Sequence, residues 1–478
     1  MNVSRALRVT AFALAALVGG LMGGLMGAPA LAGGPALVVE ADTGRVLHAE
    51  RATDPWYPAS ITKLMTTYVA LDAVRSGRAK MDTLLTVSEQ AAALPPSKMG
   101  FKPGTQIRLD NALKIIMVKS ANDVAATIAE GLGGSIEAFA EMMNERAQAL
   151  GMRDSHFANP HGLPDERNQT TARDMAILAR ALFNEFPEYQ GLFDIGAIQY
   201  GRRIMRNTNG LIGRYPGADG MKTGFICSAG FNVVASATRN GRHLITVVLG
   251  APSANERTMK AAELFDRGFS SLAGPANPTL AALPASSART PPDMRSVICD
   301  RRGPMPEEED SQTTVASSES TGIPNLFSSD VMAFAGTSQP TRTVLGPRAA
   351  VQPERVWVGL NPPSEAELAA QAAKEEAAEK ARKAASKKAA KKDQAKAAAK
   401  DKSAKDKAAG EKDAQDAKDT DTASASPKAG GKSKARESIS MKPVSDQKGK
   451  PKPAKGKDQA SADTSAKAKN GKNRPEAN

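Results

Sequence analysis

From Ser364 to Asn478 the chain offers almost nothing that could form a core, which confines any globular fold to what precedes it. That stretch holds 29 Lys and Arg against 18 Asp and Glu, and no aromatic residue follows Trp357. Between Ser364 and Ala409 the only large apolar side chain is Leu368, so there is no face to bury. Alanine dominates. Ser364-x-x-Glu367 after Pro362-Pro363 is a capping box, and Glu376/Lys380 and Glu379/Lys383 are i,i+4 pairs. A solvated single helix is expected, with disorder from Gly410 onward. The tail's net charge of +11 is most of the chain's +13, and Arg5 and Arg8 supply the rest, so the body is near neutral. Neither part interleaves basic with aromatic residues, so nucleic acid is not an expected partner. A tail of this charge is expected to contact anionic envelope polymers or a membrane surface, or to be an inert spacer.

The other end reads as a targeting segment. Arg5 and Arg8 precede an uncharged apolar stretch from Val9, which closes on Ala28-Pro29-Ala30-Leu31-Ala32, a small-x-small cleavage pattern. Residues 1–32 are therefore expected to be a signal peptide, with an uncleaved membrane anchor as the alternative. Either way the chain is exported, to the periplasm or the periphery of the inner membrane. The two cysteines, Cys227 and Cys299, are too few and too far apart for a metal site. In an exported chain they are expected to pair as a disulfide.

In the body, Ala36–Glu40 and Val46–Glu50 read as strands joined by Asp42-Thr43-Gly44. Phe231–Ala235 and Leu244–Leu249 form a second hairpin around Asn240-Gly241. Between the hairpins lie helical patterns: the run after Ser60, Leu113–Lys119, Asn122–Glu130, Ile136–Leu150 and Thr171–Phe183. Glu256–Phe269 closes the body as an amphipathic helix. Strands at both ends and helices in the middle predict an α+β fold, an antiparallel sheet covered by helices. Residues 33–272 are the expected catalytic domain. Residues 273–363, rich in Pro, Ser, Ala and Thr, read as a linker with one strand-like piece, Arg355–Leu360.

Three short stretches carry chemistry. Ser60 and Lys63 are three apart at the start of an apolar-periodic run, so a helix there brings hydroxyl and amine together. A serine is a weak nucleophile until a base takes its proton, and a lysine can do so only when neutral, against an ordinary pKa of about 10.4. Ser120-Ala121-Asn122 follows a helical run, and Lys222-Thr223-Gly224 lies in Asp219-Gly220-Met221-Lys222-Thr223-Gly224. Ser-x-x-Lys alone is a weak signal, but Ser-x-x-Lys, Ser-x-Asn and Lys-Thr-Gly in that order are the combination of penicillin-binding proteins and β-lactamases. His156 and His161, in a loop between helices, form no ligand set and read as loop-holding residues.

With these motifs, Pro58-Ala59-Ser60, Ser120-Ala121-Asn122-Asp123 and Phe157-Ala158-Asn159-Pro160-His161-Gly162-Leu163, residues 35–270 resemble the serine-type D-alanyl-D-alanine carboxypeptidases, the low-molecular-mass penicillin-binding proteins. The resemblance implies a five-stranded antiparallel sheet covered by helices, with a mostly helical lobe beside it. It implies that Ser60 attacks the carbonyl of the penultimate D-alanine of a peptidoglycan stem pentapeptide, and that Lys63 accepts its proton. Ser120 relays a proton to the leaving amine, and Asn122 binds the substrate amide. Lys222, Thr223 and Gly224 form the substrate-binding strand, Thr223 and Arg257 holding the terminal carboxylate. The backbone N–H groups of Ser60 and Phe225 form an oxyanion hole, each donor worth about 3 to 4 kcal/mol. β-Lactam antibiotics acylate the same serine, and no cofactor is needed. The family often continues Lys-Thr-Gly with an aromatic or His and then Thr, whereas Phe225-Ile226-Cys227 stands here. A β-lactamase would need a water-activating base, for which Asp165 and Glu166 are the candidates. A D,D-endopeptidase is a variant of the same chemistry. A wall-binding scaffold with a vestigial serine site is the non-enzymatic alternative. The small β domain and anchor helix of many relatives are not recognisable.

Overall fold

A computed structural model describes residues 33–300, 313–315, 343, 345–370 and scattered positions beyond to 384. The targeting segment 1–32, the pair Glu379/Lys383 and the basic tail beyond residue 384 lie outside the described residues. A five-stranded antiparallel sheet runs in the order β2-β1-β9-β8-β7. β1 (Ala36–Glu40) and β2 (Val46–Glu50) form one hairpin. β7 (Ala218–Ile226), β8 (Gly230–Arg239) and β9 (Arg242–Ala251) form a meander. β1 pairs with β9, Val38 opposite Thr246, and so joins the two ends of the body.

The β8–β9 turn is Asn240-Gly241, both at positive φ (51° and 74°), the conformation a tight two-residue hairpin requires. β9 is buried from Leu244 to Ala251 because helices cover both faces. His243 meets the Phe183 ring of α6 (Ala172–Glu185), while its neighbour Leu244 lies under Gly268 of α7 (Ala254–Ser270). Successive strand residues point to opposite faces, so the two helices sandwich the sheet. Each begins on a side-chain cap, Thr171 accepting from the Asp174 N–H and Ser253 from the Glu256 N–H.

The helical lobe is built on α1 (Lys63–Arg75), which a 3₁₀ turn, Ala59–Thr62, introduces. Every residue from Lys63 to Ala73 is buried, so α1 is enclosed on all sides rather than amphipathic. Around it lie α2 (Glu89–Ala93), α3 (Leu109–Val118), α4 (Asn122–Gly133) and α5 (Ile136–Ala149). β3 (Leu84–Thr86) and β4 (Gln106–Arg108), on either side of α2, pair antiparallel before α3.

The residues read as a linker touch the body at several points where they are described. Thr279 bridges to Arg45, and Leu280, Met294 and Ile298 are buried, the last in α8 (Arg295–Ile298). A second hairpin, β5 (Ala197–Tyr200) with β6 (Arg203–Arg206), accepts chain from this region on both edges. β10 (Thr313–Val315) pairs with β6, and β11 (Glu354–Arg355) pairs with β5 in parallel. Of the strand-like piece expected over Arg355–Leu360, only Arg355, in β11, and a bridge from Gly359 to Ile107 pair as strand. Beyond it, Ser364 and Glu367 form the capping box, and Glu376 pairs with Lys380 at 2.7 Å.

Candidate active site

Two segments close on Ser60 because each has a glycine at the point of approach. A Cβ on Gly224 of β7 would lie 2.7 Å from the Ser60 nitrogen and 2.9 Å from that of Ile61. Gly162, at φ 78°, lies against the Ala59 carbonyl, where any side chain would overlap the oxygen. The nucleophile turn is strained as well: Ala59 sits at φ 49°, and Ser120 across the site at φ 60°. Non-glycine residues persist in that region only where the surroundings over-determine them, as they often do at functional sites.

The hold on the turn comes from Asn232, fully buried in β8. Its amide donates to the carbonyls of Tyr57 (2.9 Å) and Pro58 (3.1 Å), and its oxygen accepts from the Gly250 N–H at 2.9 Å. Trp56 adds an indole bond to the Ala229 carbonyl at 2.9 Å. Reading the apolar run Phe231–Ala235 as a strand did not single out Asn232. Its signal was a lone amide inside a stretch otherwise fit for burial.

Lys63 has no exposed surface. Its Nζ lies 3.1 Å from Ser60 Oγ, 2.8 Å from Asn122 Oδ1 and 2.8 Å from the His161 carbonyl. The histidine-bearing loop therefore serves through its backbone: the Pro160 carbonyl takes the Thr66 hydroxyl and the His161 carbonyl takes Lys63. The His161 ring is buried, its Nδ1 accepting the Leu163 N–H, and burial together with the nearby Lys63 charge pushes its pKa down to about 3. The His156 Nδ1 meets the Arg167 carbonyl within the same loop.

Asn122 donates from its amide to the Pro95 carbonyl, and its backbone N–H bonds the Ser97 carbonyl at 2.7 Å. Asp123 fixes the same 95–100 loop through the Met99 and Gly100 N–H groups. On the opposite wall Lys222 is buried, donating to the Thr223 carbonyl. Thr223 Oγ1 lies 2.8 Å from Thr208 Oγ1, and the buried Arg257 donates to the Thr208 carbonyl at 3.3 Å. Thr223 and Arg257 thus meet through Thr208, a residue that no motif marks.

Ser60, Ser120, Asn122, Thr208 and Phe225 line one cavity of ≈ 200 Å³, and no carboxylate lines it. Asp165 instead turns to Arg167, whose guanidinium holds its carboxyl below the usual range. Phe225 stacks on Phe231 at 4.3 Å between ring centroids. One residue past β7, Cys227 is joined to Cys299, with Cα atoms 5.6 Å apart. Among the described residues no cluster of His, Cys, Asp or Glu could hold a metal ion.

The structure thus brings together, on one α+β scaffold, a serine whose hydroxyl meets a buried lysine, a second serine, an asparagine and a Lys-Thr-Gly strand. Residues 25–253 match the family model described as D-alanyl-D-alanine carboxypeptidase. The chain is 35% identical over 243 residues to D-alanyl-D-alanine carboxypeptidase DacF of Bacillus subtilis, covering 49% of this chain and 61% of that protein. It is 32% identical over 252 residues to D-alanyl-D-alanine carboxypeptidase DacB2 of Mycobacterium tuberculosis, covering 49% of this chain and 83% of that one. The crystal structure of penicillin-binding protein 6B from Escherichia coli matches with a TM-score of 0.48 at 33% identity, over 51% of this chain and 78% of that one. The chain belongs to the D-alanyl-D-alanine carboxypeptidase family. It spans about three fifths of the length of the first curated relatives it matches.

Proposed function

We propose that the protein is an exported serine D-alanyl-D-alanine carboxypeptidase that removes the terminal D-alanine from peptidoglycan pentapeptides through an acyl-enzyme on Ser60. The observation that carries this reading is the set of partners around Lys63. A neutral amine has two N–H donors and one lone pair. As an ammonium, Lys63 donates to Asn122 Oδ1 and the His161 carbonyl, both at 2.8 Å, and to Ser60 Oγ at 3.1 Å; after losing its proton it keeps the first two and turns its lone pair to the Ser60 hydroxyl. As Ser60 Oγ bonds to the carbonyl carbon of the penultimate D-alanine, its proton passes to Lys63. The carbonyl oxygen becomes an oxyanion held by the backbone N–H groups of Ser60 and Phe225. Collapse breaks the C–N bond, and Ser120 relays a proton to the departing amine. Water then cleaves the ester, releasing the shortened peptide and restoring Ser60. Thr223, Thr208 and Arg257 receive the terminal carboxylate, Lys222 adds positive charge there, and Asn122 takes the substrate amide.

β-Lactams would acylate Ser60 by the same route. No carboxylate lines the cavity to activate water, which favours a long-lived adduct over β-lactamase turnover. The small-x-small site Ala30-Leu31-Ala32 suits export, and the Cys227–Cys299 bridge suits an oxidising compartment outside the cytoplasm. The test is release of free D-alanine from a purified pentapeptide, together with labelling by a tagged penicillin. Ser60→Ala should abolish both, and Lys63→Ala nearly so, because nucleophile and base act as a unit. Near-normal acylation of Lys63→Ala would remove the lysine from its role. Rapid penicillin turnover would favour the β-lactamase.

A further inference from the structure

The carboxylate end of the cavity is buttressed from outside by the segment that follows residue 343. Three successive carbonyls, those of Asn207, Thr208 and Asn209, each accept from an arginine. Arg257 takes the middle one from the α7 side. Arg348 takes the two flanking ones, Nη1 to the Asn207 carbonyl and Nη2 to the Asn209 carbonyl, both at 3.0 Å. A planar guanidinium spans two acceptors at fixed separation, which an ammonium cannot. The loop between is buried. Asn207 donates from its side chain to the Ile195 carbonyl, and Asn209 to that of Gly220 on β7. Its one side chain directed at the site is Thr208, whose hydroxyl meets Thr223.

Arg348 is not what keeps its own segment in place. The Ala349 N–H bonds the Gly213 carbonyl at 2.8 Å, and Val351 fills the space over Gly196. β11 pairs with β5, Glu354 meets Lys114 at 2.6 Å, and the Gly359 N–H reaches the Gln106 carbonyl at 2.7 Å. Before the arginine, the Gly346 carbonyl accepts from Arg214 Nε at 3.1 Å, so the strap from 345 to 360 has anchorage of its own on both sides of Arg348, and the clamp is an additional contact aimed at the active-site loop.

We propose that Arg348 is a positioning residue, and that the strap is a built-in brace setting Thr208, and through it Thr223 and Arg257, for a substrate's terminal carboxylate. This rests on the carboxypeptidase reading above. Losing the clamp frees the Asn207 and Asn209 carbonyls and lets Thr208 drift, while Ser60 and Lys63, held by Asn232 and the 159–163 loop, keep their geometry.

The experiment compares two acylating probes on the full-length protein and its Arg348→Ala and Arg348→Lys variants. Benzylpenicillin carries the carboxylate, whereas an activated nitrophenyl ester without a carboxylate reports Ser60 and Lys63 alone. Arg348→Ala should lower the second-order rate of penicillin acylation by about tenfold, the scale at which sub-ångström misplacement of a binding group is felt. It should raise KM more than it lowers kcat for a peptide ending in D-Ala-D-Ala. The ester rate should stay within about twofold, and Arg348→Lys, reaching one carbonyl at a time, should fall between. Equal losses on both probes, or no loss on either, would overturn the brace while leaving the carboxypeptidase reading intact. A wild-type protein inert to both probes would sink that reading and the brace together.

Discussion

Replacing Asn232 by leucine tests whether the nucleophile turn is held as described. The side chain is buried and makes three hydrogen bonds, two of them, to the Pro58 carbonyl and from the Gly250 N–H, fully inside the protein. Leucine is close in volume but has no polar atom, so those two backbone groups lose their partners. Each buried unsatisfied group costs about 1 to 3 kcal/mol, or about 4 for the pair. The partly buried Tyr57 carbonyl can find water and adds little. Burying the extra apolar surface of leucine returns about 1 kcal/mol. The net loss is about 3 kcal/mol, a fall in Tm of about 6 to 12 °C for a domain of this size. The functional effect is separate. With the 57–58 carbonyls released, Ala59 can relax from its positive φ and carry Ser60 away from Lys63. Penicillin acylation, measured where the variant is still folded by near-UV circular dichroism, should fall by at least about tenfold. A Tm within 2 °C of wild type would mean that the three bonds are not what the buried amide contributes. A folded variant with unchanged acylation would mean that the turn is held by something else.

Gly224→Ala places a methyl group against the Ser60 and Ile61 nitrogens, so acylation should fall by about a hundredfold with only a modest change in Tm; near-normal acylation would show that β7 can retreat without consequence. His161 is held neutral in the folded protein, its pKa lowered from 6.5 to about 3 by burial and then by Lys63, so the unfolded chain binds the proton first. The stability this contributes is complete above pH 6.5 and is lost as pH falls from 6.5 toward 3, so wild-type Tm should drop more steeply over that range than that of His161→Gln, and parallel slopes would refute the assignment. Truncation after Asn361 keeps the strap and removes the net +11 tail, so turnover of a soluble peptide should be unchanged. Sedimentation with anionic vesicles should be lost at low salt, and binding that persists through 1 M salt would exclude a screened electrostatic contact.

What the sequence disclosed and what it hid follow from where each interaction is encoded. Ser60 and Lys63 are three apart on one turn, and Asn240-Gly241 sits at the tip of its hairpin, so local spacing was enough. That both hairpins belong to one sheet could be anticipated, because strands at both ends of the body with helices between them fit one α+β layer; the strand order could not. Thr208 and Asn232 stayed hidden because their roles depend on partners from other elements, Thr223 and Arg257 for one, Tyr57, Pro58 and Gly250 for the other. The 273–363 segment read as a linker because it is rich in Pro, Ser, Ala and Thr. Besides a few scattered buried side chains such as Leu280, Met294 and Ile298, its attachment runs through backbone hydrogen bonds, a disulfide and the Arg348 clamp, which hydropathy does not record. The β5–β6 hairpin escaped notice for a related reason: its strands are short and carry Arg203 and Arg206.

The pairing of β1 with β9 also fixes the order in which a nascent chain can acquire its chemistry. Ser60 is made early, yet the strand before it has no neighbour beyond its own hairpin until Leu244–Val248 has been synthesised. A two-stranded hairpin is marginal in water, so the half-made chain has no sheet against which the serine turn can set. Contacts this distant in sequence are slow to form. A ribosome-stalled product ending before β7 would carry the nucleophile and its lysine but should not be labelled by penicillin, and reactivity should switch on abruptly once β9 is complete.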